Sequence, residues 1–129
     1  MRRITHGMIK RLALLALAGI LLMLAGCVSS DEPVDLIAEN NDFNRNSIRV
    51  YVDEDVSIVF ENRDDTAHNF AVYTTKDAGV EIFSGEALQG KGTITYTFTA
   101  PLEPGNYYFQ CDFHPDTMNG SFDVYGTGS

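Results

Sequence analysis

From Ser47 onward, apolar side chains recur at every second position in a series of short runs. In SIRVYV, Ile48, Val50 and Val52 alternate with Arg49 and Tyr51, and in VSIVF, Val56, Ile58 and Phe60 share one face. TITYTF is the cleanest case, with Ile94, Tyr96 and Phe98 on one side and Thr93, Thr95 and Thr97 on the other. YYFQC sets Tyr107, Phe109 and Cys111 on one face, and Phe122 and Val124 repeat the pattern near the end. Period-two alternation of β-branched and aromatic residues predicts strands with one buried face. APLEPGN and HPDTMNG are punctuated as turns. The stretch 76–92 is less regular and reads as loop, with a short helical or strand piece around 81–88. Strands spaced about ten residues apart predict an all-β fold, an antiparallel Greek-key sandwich or barrel.

The N-terminus follows another rule. Arg2, Arg3, Lys10 and Arg11 form a basic leader without acids, followed by an apolar run from Leu12 to Leu24, small residues and Cys27. The run is 13 residues long, short of the about 20 that span a bilayer. This order marks an export signal, a helical segment that is removed, rather than a membrane span. The junction LAGC, Leu24 to Cys27, resembles the lipobox of bacterial lipoproteins. That resemblance implies removal of residues 1–26, lipid attachment to Cys27, and anchoring to the extracytoplasmic or periplasmic face of a membrane. An ordinary signal peptide cut nearby, with Cys27 incidental, is the alternative. Residues 27–34 then read as a polar tether, and 35–126 as one small domain.

Charge and cysteine usage narrow the function. Beyond residue 26 there are 18 acids and five bases (Arg45, Arg49, Arg63, Lys76 and Lys91), a formal charge of −13. Such a surface disfavours nucleic acid as a partner and attracts a basic protein at long range. Most of the acids also serve simply to keep an exported domain in solution. With Cys27 lipidated, Cys111 has no partner cysteine in an oxidising compartment. It is then a reactive thiol, or it has another bond to make.

The scarce coordinating side chains are not scattered. Beyond the leader the only histidines are His68 and His114, the only methionine is Met118, and Cys111 is the one cysteine besides Cys27. Three of these four fall within CDFHPDTMNG, residues 111–120. His68 heads a strand and shares its parity with Phe70 and Val72, so it faces the core. Singly, each residue has an ordinary explanation: a buried thiol, a turn histidine, a hydrogen-bonded core histidine, a packing methionine. Jointly they form a His₂Cys set with a thioether, the donor set of a copper electron-transfer centre. Zinc also accepts cysteine and histidine, although structural zinc sites usually use more thiolates.

These residues resemble the cupredoxins, the plastocyanin and azurin family of small type 1 blue-copper proteins. The resemblance runs from about Asp35 to Tyr125. It rests on NDFNRNSIRVYVDEDVSIVFENRDDTAHNF, which ends in His-Asn, and on APLEPGNYYFQCDFHPDTMNGSFDV, with Tyr and Phe before Cys-x-x-His, then Met and Gly. It implies His68, Cys111 and His114 as equatorial ligands of one copper ion and Met118 as the axial one. It also implies that Asn69, through its backbone N–H, bonds the cysteine sulfur. Two features depart from the family. Three residues separate His114 from Met118, a gap that leaves open another axial group or none, and Glu54-Asp55 replaces a usual glycine. Electrons would pass through the edge of His114, with Phe113 and Pro115 as an apolar docking patch.

The function so implied is a membrane-tethered, monomeric one-electron carrier and not an enzyme. Its partner would be a redox protein such as a c-type cytochrome, an oxidase or a reductase. Two further readings stay open: an exported protein for copper storage or delivery, and a thiol enzyme with Cys111 as nucleophile and His114 as base.

Overall fold

A computed structural model describes residues 32–77 and 79–127. The leader, Cys27 and most of the predicted tether lie outside the described residues. Nine strands follow one another: β1 (Val34–Glu39), β2 (Asp42–Phe43), β3 (Ser47–Tyr51), β4 (Asp55–Asn62), β5 (Ala71–Tyr73), β6 (Glu81–Ser84), β7 (Gly92–Thr99), β8 (Gly105–Gln110) and β9 (Asn119–Tyr125). No helix occurs among the described residues.

The strands form two sheets, ordered β2-β1-β4-β7 and β3-β9-β8-β5-β6. Each alternating run places its apolar parity inward. Val56, Ile58 and Phe60 of β4 are buried, as are Phe109 of β8 and Phe122 and Val124 of β9. Between the sheets lies an aromatic layer, in which Phe83 stacks on Phe98 at 4.4 Å and Phe70 meets Phe109 at 5.6 Å. Tilted and offset ring pairs of this kind add to the area they bury. The irregular stretch after Lys76 does contain a strand, β6, which pairs with β5 across a register shift at Val72/Tyr73.

The pairing is not wholly antiparallel. β1 runs parallel to β4, with Leu36 opposite Phe60, and β3 runs parallel to β9, with Ile48 opposite Phe122. The remaining pairs are antiparallel. Parallel neighbours require connections that leave the sheet and return. Here β2 and β3 lie between β1 and β4 in sequence, and β3 belongs to the opposite sheet. Alternation reports which face of a strand is buried, not the direction of its neighbour, so this feature has no signature in the pattern.

Two strands escaped the pattern altogether. β1 is VDLIAE, in which Leu36 and Ala38 are buried, and it starts inside the stretch read as a tether. It turns into the two-residue β2 through Asn40 and Asn41, with Glu39 opposite Asp42. Both asparagines have positive φ, 56° and 55°, the geometry of a type I′ hairpin turn, which asparagine tolerates.

Gly120, the second residue of β9, lies directly opposite Phe109. A Cβ there would lie 2.5 Å from both the Phe109 ring and the Asn46 carbonyl oxygen. Gly120→Ala is therefore expected to lower unfolding free energy by about 1–3 kcal/mol through overpacking. Urea denaturation of the variant checks this, and an unchanged midpoint would refute the close-approach argument.

Candidate metal centre

The His68 strand and the Cys111 loop meet at one end of the sandwich. His68 precedes β5 and is held by a two-way backbone bridge to Leu88, its N–H donating at 3.1 Å and its carbonyl accepting at 2.9 Å. Asn62, the last inward residue of β4, shapes the approach to it. Its buried carboxamide donates to the carbonyls of Thr66 (2.8 Å) and Leu88 (3.4 Å) and accepts the Asp64 N–H (2.9 Å). A buried amide satisfied on this scale rigidifies the turn it spans.

The other three candidate ligands are tied to each other by their own backbones. Cys111 N–H donates to the Met118 carbonyl (2.9 Å), Met118 N–H to the His114 carbonyl (2.9 Å), and His114 N–H to the Cys111 carbonyl (3.1 Å). The loop between β8 and β9 is thus a closed cycle of hydrogen bonds whose members are the ligand-bearing residues. Pro115, the residue after His114, lacks an N–H and fits a turn position at no hydrogen-bonding cost.

Side-chain geometry brings all four predicted ligand residues together. The Cys111 sulfur lies 3.7 Å from His68 Nδ1 and 3.9 Å from His114 Nδ1, and the three ligand atoms fall within 4.8 Å of one another. The two imidazole rings are 4.8 Å apart, inclined at 61°. Metal–ligand bonds of about 2.3 Å to a thiolate and about 2.05 Å to an imidazole, opening at about 120°, would separate sulfur from nitrogen by about 3.8 Å. The two sulfur–nitrogen spacings match that value, as expected for donors that share one metal ion. Met118 is fully buried at the same centre, and the four residues are placed to bind one metal.

Burial is uneven across the site. His68, Cys111 and Met118 are each 0% exposed, whereas His114 is partly accessible. Phe113, 51% exposed, and Pro115 flank that opening.

Around the donors stands a set of polar groups, of which the sequence had pointed only to Asn69. Asn69, expected to act through its backbone, contributes its carboxamide. The amide donates to Asp112 Oδ2 (2.9 Å) and the Gly85 carbonyl (3.2 Å), and its oxygen accepts the Asp112 N–H (2.8 Å). Asp112 also accepts from Tyr73 Oη (2.7 Å), Gln110 Nε2 (3.1 Å) and Ser84 Oγ (3.4 Å). Partial burial by itself would raise the Asp112 carboxyl. The donors from Asn69, Tyr73, Gln110 and Ser84 outweigh it and hold the group below the usual carboxylate range. Tyr73 is displaced the other way, raised first by burial, then by its hydrogen bond to Asp112 and by the Asp112 charge. On the far side of His68, Asp64 Oδ2 lies 2.8 Å and Thr66 Oγ1 3.3 Å from Nε2. Asp64 and Asp112 carry no distinguishing spacing among 18 acids, so only their position in space marks them.

Asn69→Ala removes three hydrogen bonds, two of them between the segments that carry His68 and Cys111 and one to the Gly85 carbonyl. Each is worth about 0.5–1.5 kcal/mol net, so the metal-free variant is expected to lose about 2–4 kcal/mol in urea denaturation. A loss below about 0.5 kcal/mol, the scale of a neutral surface substitution, would show that this tie is dispensable.

A family model, the cupredoxin-like domain, matches residues 11–124. No curated protein matches the chain by sequence. Among solved structures, the Na-dithionite reduced auracyanin of the photosynthetic bacterium Roseiflexus castenholzii is similar with a TM-score of 0.62 at 22% identity, over 71% of this chain and 95% of that one. Auracyanin A, a "blue" copper protein of the green thermophilic photosynthetic bacterium Chloroflexus aurantiacus, gives 0.63 at 20% identity, over 72% and 98%. Amicyanin from Paracoccus versutus gives 0.51 at 22% identity, over 72% and 81%. At such identities the likeness to these structures is one of fold. The family model, by contrast, spans most of the sequence, and on that ground the chain belongs to the cupredoxin-like domain family.

Proposed function

We propose that this protein is a type 1 blue-copper electron carrier, tethered by lipid at Cys27 to the periplasmic or extracytoplasmic face of a membrane. One observation carries the reading: a cysteine sulfur and two imidazoles converge at 3.7 and 3.9 Å in a buried centre, and only one of them, His114, reaches the surface. Similarity to auracyanin A, named a "blue" copper protein, supports the choice of metal. So does the donor set, since a trigonal His₂Cys site with a weak thioether suits copper better than zinc. Bound copper would supply a one-electron couple and no bond chemistry.

The chain's own residues then divide the work. Cys111 provides the covalent thiolate donor, and His68 and His114 provide donors acceptable to both oxidation states. Met118, buried at the centre, would be a weak thioether donor whose donation stabilises Cu(II) relative to an apolar side chain in the same place. The hydrogen-bonded loop keeps the donors from rearranging between the two states, which lowers the reorganisation that accompanies each electron. The His114 edge, bordered by exposed Phe113 and Pro115, is the contact through which a redox partner would exchange electrons. Storage or delivery of copper would need a site open to exchange, and the full burial of three donors weighs against it.

Cu(II) added to the full chain in detergent is expected to give an intense blue colour and narrow copper hyperfine splitting in EPR. Cys111→Ser should abolish both. A colourless, easily chelated complex would favour delivery, and absence of copper binding with a readily alkylated thiol would favour a thiol enzyme.

Met118→Leu should retain the blue colour and raise the reduction potential measured by voltammetry. An unchanged potential would remove Met118 from the ligand set.

A further inference from the structure

The two ring nitrogens of His68 meet different neighbours. Nδ1 is 3.7 Å from the Cys111 sulfur, while Nε2 is 2.8 Å from Asp64 Oδ2 and 3.3 Å from the Thr66 hydroxyl. His68 is wholly buried and Asp64 is 17% exposed, so water does not readily replace this contact. The carboxylate is itself clamped. Oδ1 accepts the Asn40 N–H at 2.8 Å, and Oδ2 accepts the Asn41 N–H at 3.0 Å. Both donors come from the β1–β2 turn, whose positive φ angles aim its amides at Asp64.

We propose that Asp64 is a positioning residue of the metal centre, which selects the metal-binding tautomer of His68 and shifts the copper couple toward Cu(II). The copper half rests on the function proposed above; the tautomer half belongs to the protein alone. An ionised carboxylate has no proton to donate, so the shared hydrogen sits on Nε2 and the Nδ1 lone pair is left facing the sulfur. The ring is thereby oriented before any metal arrives. A carboxylate on the outer nitrogen also makes an imidazole a stronger donor. Its fixed negative charge favours the more highly charged metal state, most strongly where the surroundings are dry.

The geometry gives the N-terminal hairpin a purpose that its size does not suggest. β2 has two residues and buries little beyond Phe43. Its turn holds the carboxylate that holds the histidine.

Two measurements test the proposal separately. Long-range ¹H–¹⁵N correlation spectra of the metal-free full chain in detergent, at neutral to mildly alkaline pH, should show His68 with Nε2 protonated and Nδ1 bare. A proton on Nδ1 overturns the tautomer assignment without any variant being made. For the copper-loaded chain, Asp64→Asn should weaken Cu(II) binding by about 10–100-fold, the usual effect of losing such a partner. A tenfold loss confined to Cu(II) appears as a rise of about 59 mV in reduction potential. Thr66→Ala, which leaves the charge in place, should shift the potential far less. If the wild-type chain turns blue and Asp64→Asn leaves both its potential and the His68 tautomer unchanged, the proposal fails while the copper reading stands. If the wild type binds no copper, the copper reading and the couple-tuning half fail together, and the tautomer spectrum alone decides whether Asp64 orients the ring.

Discussion

The metal centre depends on the reciprocal hydrogen bonding of Asn69 with Asp112. These residues are 43 positions apart, and each stands directly after a candidate ligand. The carboxamide of one grips both the backbone N–H and the carboxylate of the other, so the His68 segment cannot slide relative to the Cys111 segment without breaking two short bonds. Both ligands come from loop-like backbone at sheet ends, where alternation and ladder pairing no longer set position. A polar tie takes over where the strand ladders stop.

Every other support of the site extends this constraint outward. Asp112 recruits Tyr73 from β5 and Ser84 from β6, which joins the second sheet's edge to the cysteine. Asn62 fixes the turn before His68 from the first sheet, and the cyclic backbone bonds of residues 111, 114 and 118 fix the loop. Buried polar groups usually carry a desolvation penalty. Here every buried side-chain nitrogen and oxygen among the described residues has a partner, and the network's effect is geometric. It holds soft donors at metal-like spacing in a place where the surrounding core is aromatic and dry. The asymmetry of burial follows: His114 lies on the outer rim of the loop, so it alone among the four ligand residues meets solvent.

Some of this was legible beforehand and some was not. Strands β4, β7, β8 and β9 announce themselves because each pairs an apolar face with a polar one. β1 hides because VDLIAE is short and follows a proline-bearing polar stretch, so its two buried residues, Leu36 and Ala38, make too brief an alternation. The four ligand residues stand out by scarcity, since soft and imidazole donors are few in this composition. Asp64 and Asp112 could not stand out in the same way, because acids are the commonest charged residues here. Asn69 was placed next to the right ligand, but the carboxamide's grip on Asp112 depends on a neighbour far away in the chain.

By itself, the sequence determined the all-β class, the inward parity of the main strands and the identity of the donors, because these follow from local periodicity and from side-chain chemistry. Tertiary structure alone decided the parallel pairing of β1 with β4 and of β3 with β9. It also decided which two of the many carboxylates stand beside the centre and which histidine edge meets solvent. The physical reason is the same in each case. Alternation and donor type are properties of a residue and its near neighbours, whereas strand direction, a 2.8 Å contact between Asp64 and His68, and exposure are created only when distant segments are brought together.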